Sequence, residues 1–419
     1  VKVLFLSQIV PYPPHGGVLQ RGYNLLRELG KYADVHLLAF VHPDELRSEA
    51  EIKSSQSALG QFCASVEYFP LWAKQSPARR LAALAMSACS RQSFSTIAHR
   101  SSAFQRRVSE LLHSRSFDLV HADTIALDQF LVAHRDRPAV LTHHNIESQL
   151  MARRAEVETR LMARQFLQRD SAKIRAREIV SAPMYDVNIV VSKTDGATLA
   201  GMVPNVRTAV VANGVDVDYF SPNPSAETIA LIYAGGMNMF ANRDAVLYFL
   251  KEIWPSIRAR VPTVRFFAVG QDPPPELNAI AARDPNVIVT GKVADIRPFV
   301  HQAAVYVVPL RVGGGTRLKV LDAMALGKAM VSTSIGCEGI DVRRGEHLEI
   351  ADTPQTFADA TIRLLEDREQ RRALGEAARS LVVERYAWSV IGRHLLQAYE
   401  SAIAGRRSPA AGVVGSHAS

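Results

Sequence analysis

The sequence predicts two doubly wound α/β domains joined by a short linker. Three observations carry that reading. Short runs of apolar and β-branched residues alternate with helical stretches in two successive series. Glycines cluster at several of the strand-to-helix junctions, where an open parallel sheet presents its ligand sites. At 419 residues the chain is long for one core, and 47% hydrophobic residues are enough to fill two.

The first series opens with the strand VKVLFLS at 1–7 and the loop QIVPYPPHGG. Pro11, Pro13 and Pro14 hold that loop extended, and Gly16 and Gly17 release it into a helix from about 18 to 31. Further strands are expected at 34–40, 66–70, 117–121, 139–143, 187–191 and 208–212. Residues 147–180 hold eight basic and five acidic side chains in one polar pattern, which reads as a long or kinked helix at the mouth of the first domain. Prolines and asparagines then interrupt both periodicities, placing a linker at 214–226 between domains at 1–213 and 227–386. The second series runs through a strand at 230–234, a helix at 244–260, a strand at 264–269, a helix near 276–283 and a strand at 287–290. Closing helices extend from 353 to 404, the last of them, 387–404, packing back on the first domain. Residues 405–419 read as a disordered tail.

Charge and cysteines restrict the function. The formal charge is +8, and residues 74–115 hold eight Lys/Arg against the single acid Glu110. Such a run suits a solvated basic face or an anionic membrane surface, and RRLAALAMS at 79–87 would form a short basic–apolar helix at that interface. Nucleic acid is not expected, because the cluster lacks interleaved aromatics. There is no apolar run long enough to span a bilayer and no signal-peptide pattern, while Cys63, Cys89 and Cys337 share no disulfide or metal spacing. A cytoplasmic protein, peripheral on the inner membrane, is the resulting expectation.

The chemistry centres on residues 303–341, which read strand, glycine loop, helix, strand. Gly313, Gly314 and Gly315 let backbone N–H groups approach an anion, and the following helix start adds a positive dipole end. Thr316 suits the N-cap position. Arg317 and Lys319 in the first turn oppose the helix dipole, a conflict that a diphosphate would remove. Asp322 is either an ordinary helical acid or an acceptor for sugar hydroxyls. Gly235 and Gly236 make another glycine turn, and Gly291-Lys292-Val293 could hold a flat base by main-chain groups. His144 ends a first-domain strand, where a polar side chain points into the crevice.

Taken together, the stretches PYPPHGG, HHNIES, VSKTD, NGVDVDYF, YAGGMNMFANRDA, VTGKVADIRPFV, PLRVGGGTRLKVLDAMALGKAMVST, GCEGI and ERYAW resemble the retaining glycosyltransferases of family 4 (group 1). The likeness runs from Val1 to about Tyr399 and is closest to the subgroup of bacterial exopolysaccharide and exosortase loci. It implies the GT-B fold: two Rossmann-like domains facing across a cleft, the first binding an acceptor and the second a nucleotide-diphosphate sugar. His144 would contact the donor sugar, Gly16 and Gly17 would form the first-domain loop, and the base would sit by Lys292 and Val293. The family's paired acids fall on Gly314 and Asp322, so the first acid is absent and the second shortened. The usual Arg…Lys pair is not evident in GGMNMFANRD, where Arg243 alone is nearby, and Arg317 and Lys319 would take over the diphosphate.

The resemblance implies a metal-independent hexosyltransferase with no cofactor beyond its substrate, a UDP- or GDP-sugar, and a glycan or polyprenyl-linked acceptor in bacterial polysaccharide synthesis. The alternatives on the same fold are a nucleotide-sugar 2-epimerase or hydrolase, or a catalytically reduced sugar-nucleotide-binding protein. A Rossmann dehydrogenase is excluded, since neither first βα loop carries G-x-G-x-x-G followed by an acid.

Overall fold

The structure, a computed structural model, describes residues 1–14, 16–43, 46–223, 227–313 and 316–407. The chain divides into two compact units, Val1–Val211 with the C-terminal stretch from Gly392, and Ala212–Ile391. Each is built on one parallel sheet.

The first sheet has seven strands: β1 (Lys2–Ser7), β2 (Asp34–Val41), β3 (Ser65–Pro70), β4 (Leu119–Ala122), β5 (Ala139–His143), β6 (Val187–Val190) and β7 (Thr208–Val210). Their order is β3-β2-β1-β4-β5-β6-β7, all parallel, so the direction of winding reverses between β1 and β4. Residues Val3, Leu4, Phe5 and Leu6 of β1 are fully buried, the unbroken apolar run of a strand covered on both faces. Phe40 stacks on Phe104 with centroids 4.5 Å apart on one side of this sheet. Gly16 stands at φ 95° immediately before helix Gly17–Leu29, a left-handed backbone that disfavours any residue with a Cβ, and its carbonyl accepts from Gln20 N–H at 2.8 Å.

Residues 147–180 are not one helix. They form two, Glu147–Val157 and Leu161–Ser181, packed against each other. The break falls where Glu158 and Arg160 take extended backbone and pair at 3.0 Å. Arg107 of the basic run is likewise committed, donating through Nε and Nη2 to the two carboxylate oxygens of Glu67, each at 2.7 Å, and through Nη1 to Glu110 at 3.2 Å.

The second sheet comprises β8 (Thr228–Ala234), β9 (Arg265–Val269), β10 (Val287–Gly291), β11 (Ala303–Val308), β12 (Ala329–Ser332) and β13 (Glu349–Ile350), in the order β10-β9-β8-β11-β12-β13. Its winding reverses between β8 and β11. The helix expected at 244–260 begins earlier, at Phe240, and runs as Phe240–Tyr248, one π-type turn Phe249–Ile253, then Trp254–Arg260. Pro255 lacks the N–H that a continuous α-helix would need there, and the widened turn absorbs the defect.

The helix after β11 is Leu318–Ala325, two residues later than the sequence suggested. Arg317, in extended backbone, occupies the cap position in place of Thr316, whose buried Oγ1 has no hydrogen-bond partner among the described residues. Gly314 and Gly315 lie outside the described residues. The stretch expected as a linker is held by the second unit as far as residue 223: Val215 and Phe220 are buried in its core, and Arg379 donates to the Phe220 carbonyl at 3.1 Å. The final helix runs Trp388–Arg407, past the point where a tail was expected, and Arg406 is anchored to Asp186 at 2.8 Å. Tyr399 brings that helix into the first unit's interior through a 2.6 Å bond to His121.

Candidate active site

A polar constellation lies in the second unit, at the carboxyl ends of β8 and β11, where the winding reverses. Open α/β sheets bind ligands at such switch points. Strand β8 runs directly into Gly235 and Gly236. The Lys319 side chain, from the first turn of helix Leu318–Ala325, reaches back to that turn. It donates to Tyr233 OH at 2.9 Å and to Asn242 Oδ1 at 2.7 Å, and its ammonium lies over the Tyr233 ring, 4.3 Å from the centroid. Tyr233 also donates to Asn242 Oδ1 at 2.8 Å, and Asn242 Nδ2 donates to the Gly236 carbonyl at 2.8 Å. The network therefore fixes the glycine turn and the ammonium to each other.

Close approach explains the glycine at 235. A Cβ there would lie 2.4 Å from Lys319 Nζ and 3.1 Å from Asn242 Nδ2. On the other side, Arg317 folds over Gly313, where an added Cβ would meet Nη2 at 2.4 Å. Burial, then the charge of Arg317, pull the Lys319 ammonium down to about 7, against an opposing pull from Asp322. Burial pushes the Tyr233 hydroxyl well above its ordinary value, so it remains a neutral donor. Arg311, also just past β11, is occupied otherwise: it pairs with Asp244 at 2.6 Å and stacks over Tyr248.

The sequence-derived residues are thus partly united. Gly235, Gly236, Arg317, Lys319 and Asp322 share one neighbourhood, the last through its electrostatic effect on Lys319 and Tyr306. Gly291 joins its edge: Gly270 N–H donates to the Gly291 carbonyl at 3.2 Å, and Gly270 backs directly onto Gly235. Beyond it, Lys292 is exposed and Val293 packs on the unit's core. Two members escaped the sequence reading, Tyr233 and Asn242. The residue noticed there, Arg243, points to solvent, while its neighbour Asn242 is buried.

The first unit gathers a second group at the ends of its strands. His144, just beyond β5, places Nε2 3.2 Å from Asp123 Oδ1, just beyond β4. Asp123 is 2% exposed, and its charge also acts on Arg21, His121 and Tyr399. Next to it, Thr124 donates to Glu147 at 2.6 Å, and burial raises the Glu147 carboxyl. His143, in contrast, faces Asn188 at 3.1 Å and is pulled down to about 4 by burial, the signature of a structural neutral imidazole. Arg21, four residues into the helix that follows Gly16 and Gly17, is buried and donates to the Val211 carbonyl at 2.8 Å. Asp123 was also missed, although the rule that selected His144, a polar residue at a strand's carboxyl end, applies equally to it.

Sequence comparison assigns this architecture. The profile described as Glycosyltransferase Family 4 matches residues 15–219, and that described as Glycosyl transferases group 1 matches 228–367. The chain belongs to glycosyltransferase family 4. Among curated relatives, the family 4 chain is 30% identical over 207 residues to a phosphatidyl-myo-inositol mannosyltransferase of Mycobacterium tuberculosis, covering 46% of this chain and 53% of that one. It is 27% identical over 234 residues to a GDP-mannose-dependent alpha-(1-6)-phosphatidylinositol monomannoside mannosyltransferase of the same species, covering 50% and 60%. The chain thus spans about half the length of the curated relatives it matches. Among solved structures, sucrose-phosphate synthase from Thermosynechococcus elongatus superposes with a TM-score of 0.68 at 17% identity, over 96% of this chain and 100% of that one. Anabaena HepE in complex with UDP gives 0.67 at 17% identity, over 96% and 100%. The fold of this family 4 chain is GT-B, two Rossmann-like units each with a parallel sheet.

Proposed function

We propose that this glycosyltransferase moves a hexosyl group from a nucleotide-diphosphate sugar to a hydroxyl of a glycan or lipid-linked acceptor, with retention at the anomeric carbon. One observation carries the reading: the Lys319 ammonium is built into the glycine turn at the β8/β11 switch point, with Arg317 beside it. Two cations at a helix start, one of them partly desolvated, form a site matched to a diphosphate. Their charge would stabilise the leaving group as the C1–O bond breaks, with no metal in that role.

In the proposed reaction the acceptor oxygen attacks C1 from the face the diphosphate leaves. The C1–O bond to phosphate breaks, the new glycosidic bond forms, and the acceptor proton passes to the departing phosphate oxygen. His144, held at Asp123, would hydrogen-bond a sugar hydroxyl, and the backbone at Gly16 and Gly17 would allow close approach of substrate. Lys292 and Val293 would flank the base. The mannosyltransferase relatives make GDP-mannose the first donor to test, and the UDP complex of HepE makes UDP-sugars the second. A role in exopolysaccharide synthesis, at the cytoplasmic face of the inner membrane, completes the proposal.

The test is thermal denaturation against UDP, GDP, ADP, dTDP and CMP, with Arg317→Ala/Lys319→Ala as control. A ligand bound only to the native state raises apparent stability by about 2.7 kcal/mol at a hundredfold excess over its Kd. One diphosphate should stabilise the wild type and not the control, and the matching sugar donor should give product of unchanged anomeric configuration by NMR. No stabilisation by any nucleotide would refute the donor site. Donor consumed without an acceptor would point to the epimerase or hydrolase reading.

A further inference from the structure

We propose that a groove on the second unit, along the outer face of the helix that begins at Phe240, is a secondary saccharide site. It would hold neutral sugar residues of the acceptor glycan away from the reacting hydroxyl. Its purpose rests on the glycan-acceptor reading above, and its location on the following geometry.

Helix Phe240–Tyr248 and the π-type turn that continues it have two distinct faces. The inward face buries Asn242, Ala245, Val246 and Phe249, and Asn242 reaches the glycine turn beside Lys319. The outward face lines a cavity of about 510 Å³ with Phe240, Asp244, Tyr248, Lys251 and Glu252, and Arg311, from beyond β11, lines it too. Positions 240, 244, 248 and 252 follow one another at four-residue spacing, so they form a single stripe. At 1.5 Å per residue that stripe is about 18 Å long. Its first member, Phe240, stands four residues past Gly236, so the groove starts beside the glycine turn of the donor site.

The lining combines a bare aromatic ring with hydrogen-bonding groups that the protein does not use. Phe240 is 48% exposed, and the negative face of its ring attracts the weakly positive C–H face of a pyranose. Arg311 donates through Nε and Nη2 to Asp244 at 3.1 and 2.6 Å, and its guanidinium lies 4.3 Å from the Tyr248 centroid. Those three side chains hold each other in place. Among the described residues, Arg311 Nη1, the Tyr248 hydroxyl, the Lys251 ammonium and the Glu252 carboxylate make no hydrogen bond. Burial raises the Tyr248 hydroxyl above its ordinary value, so it remains a neutral donor. Donors and acceptors therefore stand side by side, as a run of sugar hydroxyls requires, since each hydroxyl both donates and accepts. Charge selects the class of ligand. The two acids and two bases balance, so a polyanion would meet Asp244 and Glu252, and a cation would meet Arg311 and Lys251. A neutral polyhydroxylated ligand meets neither repulsion.

The experiment is saturation-transfer NMR with calorimetry on the full chain. Maltotetraose, mannotetraose and galactotetraose are the probes, and a heparin tetrasaccharide is the charged comparison. At least one neutral tetraose should bind, more tightly than its own monosaccharide and with little dependence on salt. Phe240→Ala should weaken that binding by about fivefold or more. Lys251→Ala/Glu252→Ala should weaken it by about tenfold. All three side chains are exposed, so the melting temperatures should stay at the wild-type value. No binding of any tetraose, preference for the heparin fragment, or variants that bind like the wild type would each overturn the proposal. So would a dimer in sedimentation that Phe240→Ala dissolves while tetraose binding persists, since this face would then join two copies of the chain. Nucleotide-induced thermal stabilisation, read without glycan on every variant, separates the two hypotheses. Its presence with no tetraose bound refutes the groove alone, and its absence in a wild type that binds a tetraose refutes the donor reading alone.

Discussion

Lys319 should make donor binding dependent on pH within the neutral range. Its ammonium is pulled down to about 7 by burial and by Arg317, so it loses its proton between about pH 6 and pH 8. A diphosphate beside it favours the charged form and raises that value in the complex. The sign follows: binding takes up a proton above pH 7, and affinity falls as pH rises through the pKa of the free protein. For a value of about 7, the protonated fraction drops from about 0.9 at pH 6 to about 0.1 at pH 8, a tenfold loss of affinity or about 1.4 kcal/mol. The probe should be an intact nucleotide sugar, because a diphosphate esterified at both ends does not itself titrate there. Calorimetry at pH 6, 7 and 8 in buffers of different ionisation enthalpy would read both affinity and proton uptake. Uptake should approach one proton at pH 8 and vanish in Lys319→Met, whose weaker binding should be flat with pH. Wild-type affinity that is constant from pH 6 to 8, with no proton taken up, would show that this ammonium does not meet the diphosphate.

Other perturbations probe the same framework. Gly235→Ala places a methyl 2.4 Å from Lys319 Nζ; displacing the ammonium should cost about tenfold or more in nucleotide affinity by thermal shift, with the unliganded melting temperature changed little. Asp123→Asn keeps the volume beside His144 and removes its charge; kcat should fall by about tenfold or more with the donor KM nearly unchanged, and adding His144→Ala should cost less than the two separate losses combined. Asp128 accepts from Ser181 Oγ at 2.6 Å and Tyr185 OH at 2.7 Å and pairs with Arg135 and Arg177. Burial pushes its carboxyl up, but Arg177, Ser181 and Arg135 together hold it below the usual range. Asp128→Ala should therefore lower the unfolding free energy by about 3–5 kcal/mol in urea titrations. The stability Asp128 adds to the wild type should be present at neutral pH and lost only as acid protonates the carboxyl.

Much of the framework was legible because parallel strands buried on both faces are written as unbroken apolar runs. β1 and β11 could be read almost to their ends for that reason. The ligand-facing half was harder. Asn242 escaped because the helix carrying it starts at Phe240, not at 244, so it lay outside the expected helix and had no inward face assigned to it. Charge then misled in the same place, since Arg243 was conspicuous and solvent-directed. Asp123 escaped because β4 was expected to stop at 121; it ends at Ala122, so Asp123 stands directly at the strand's carboxyl end. The hairpin of residues 147–181 defeated composition for another reason. A count of acids and bases carries no direction, and both acids of its second helix are buried while Arg164, Arg169 and Arg175 are exposed.

The arrangement around Lys319 also shows how an unfavourable choice in the free protein can point to a ligand. A cation in the first turn of a helix opposes the dipole, an enclosed ammonium forgoes hydration, and Arg317 adds like-charge repulsion. The local contacts offset only part of this. Tyr233 and Asn242 supply oxygen acceptors, yet they could satisfy one another without the lysine, because Tyr233 already donates to Asn242 Oδ1. A neutral side chain of similar length would fill the space without those penalties. A diphosphate would relieve all three together, supplying negative charge to the dipole, to the ammonium and to the guanidinium at one point. The three penalties converge where β8 and β11 reverse the winding, the position at which the fold itself offers a ligand crevice. Local electrostatic conflict and global topology thus select the same few ångströms of the molecule on independent grounds.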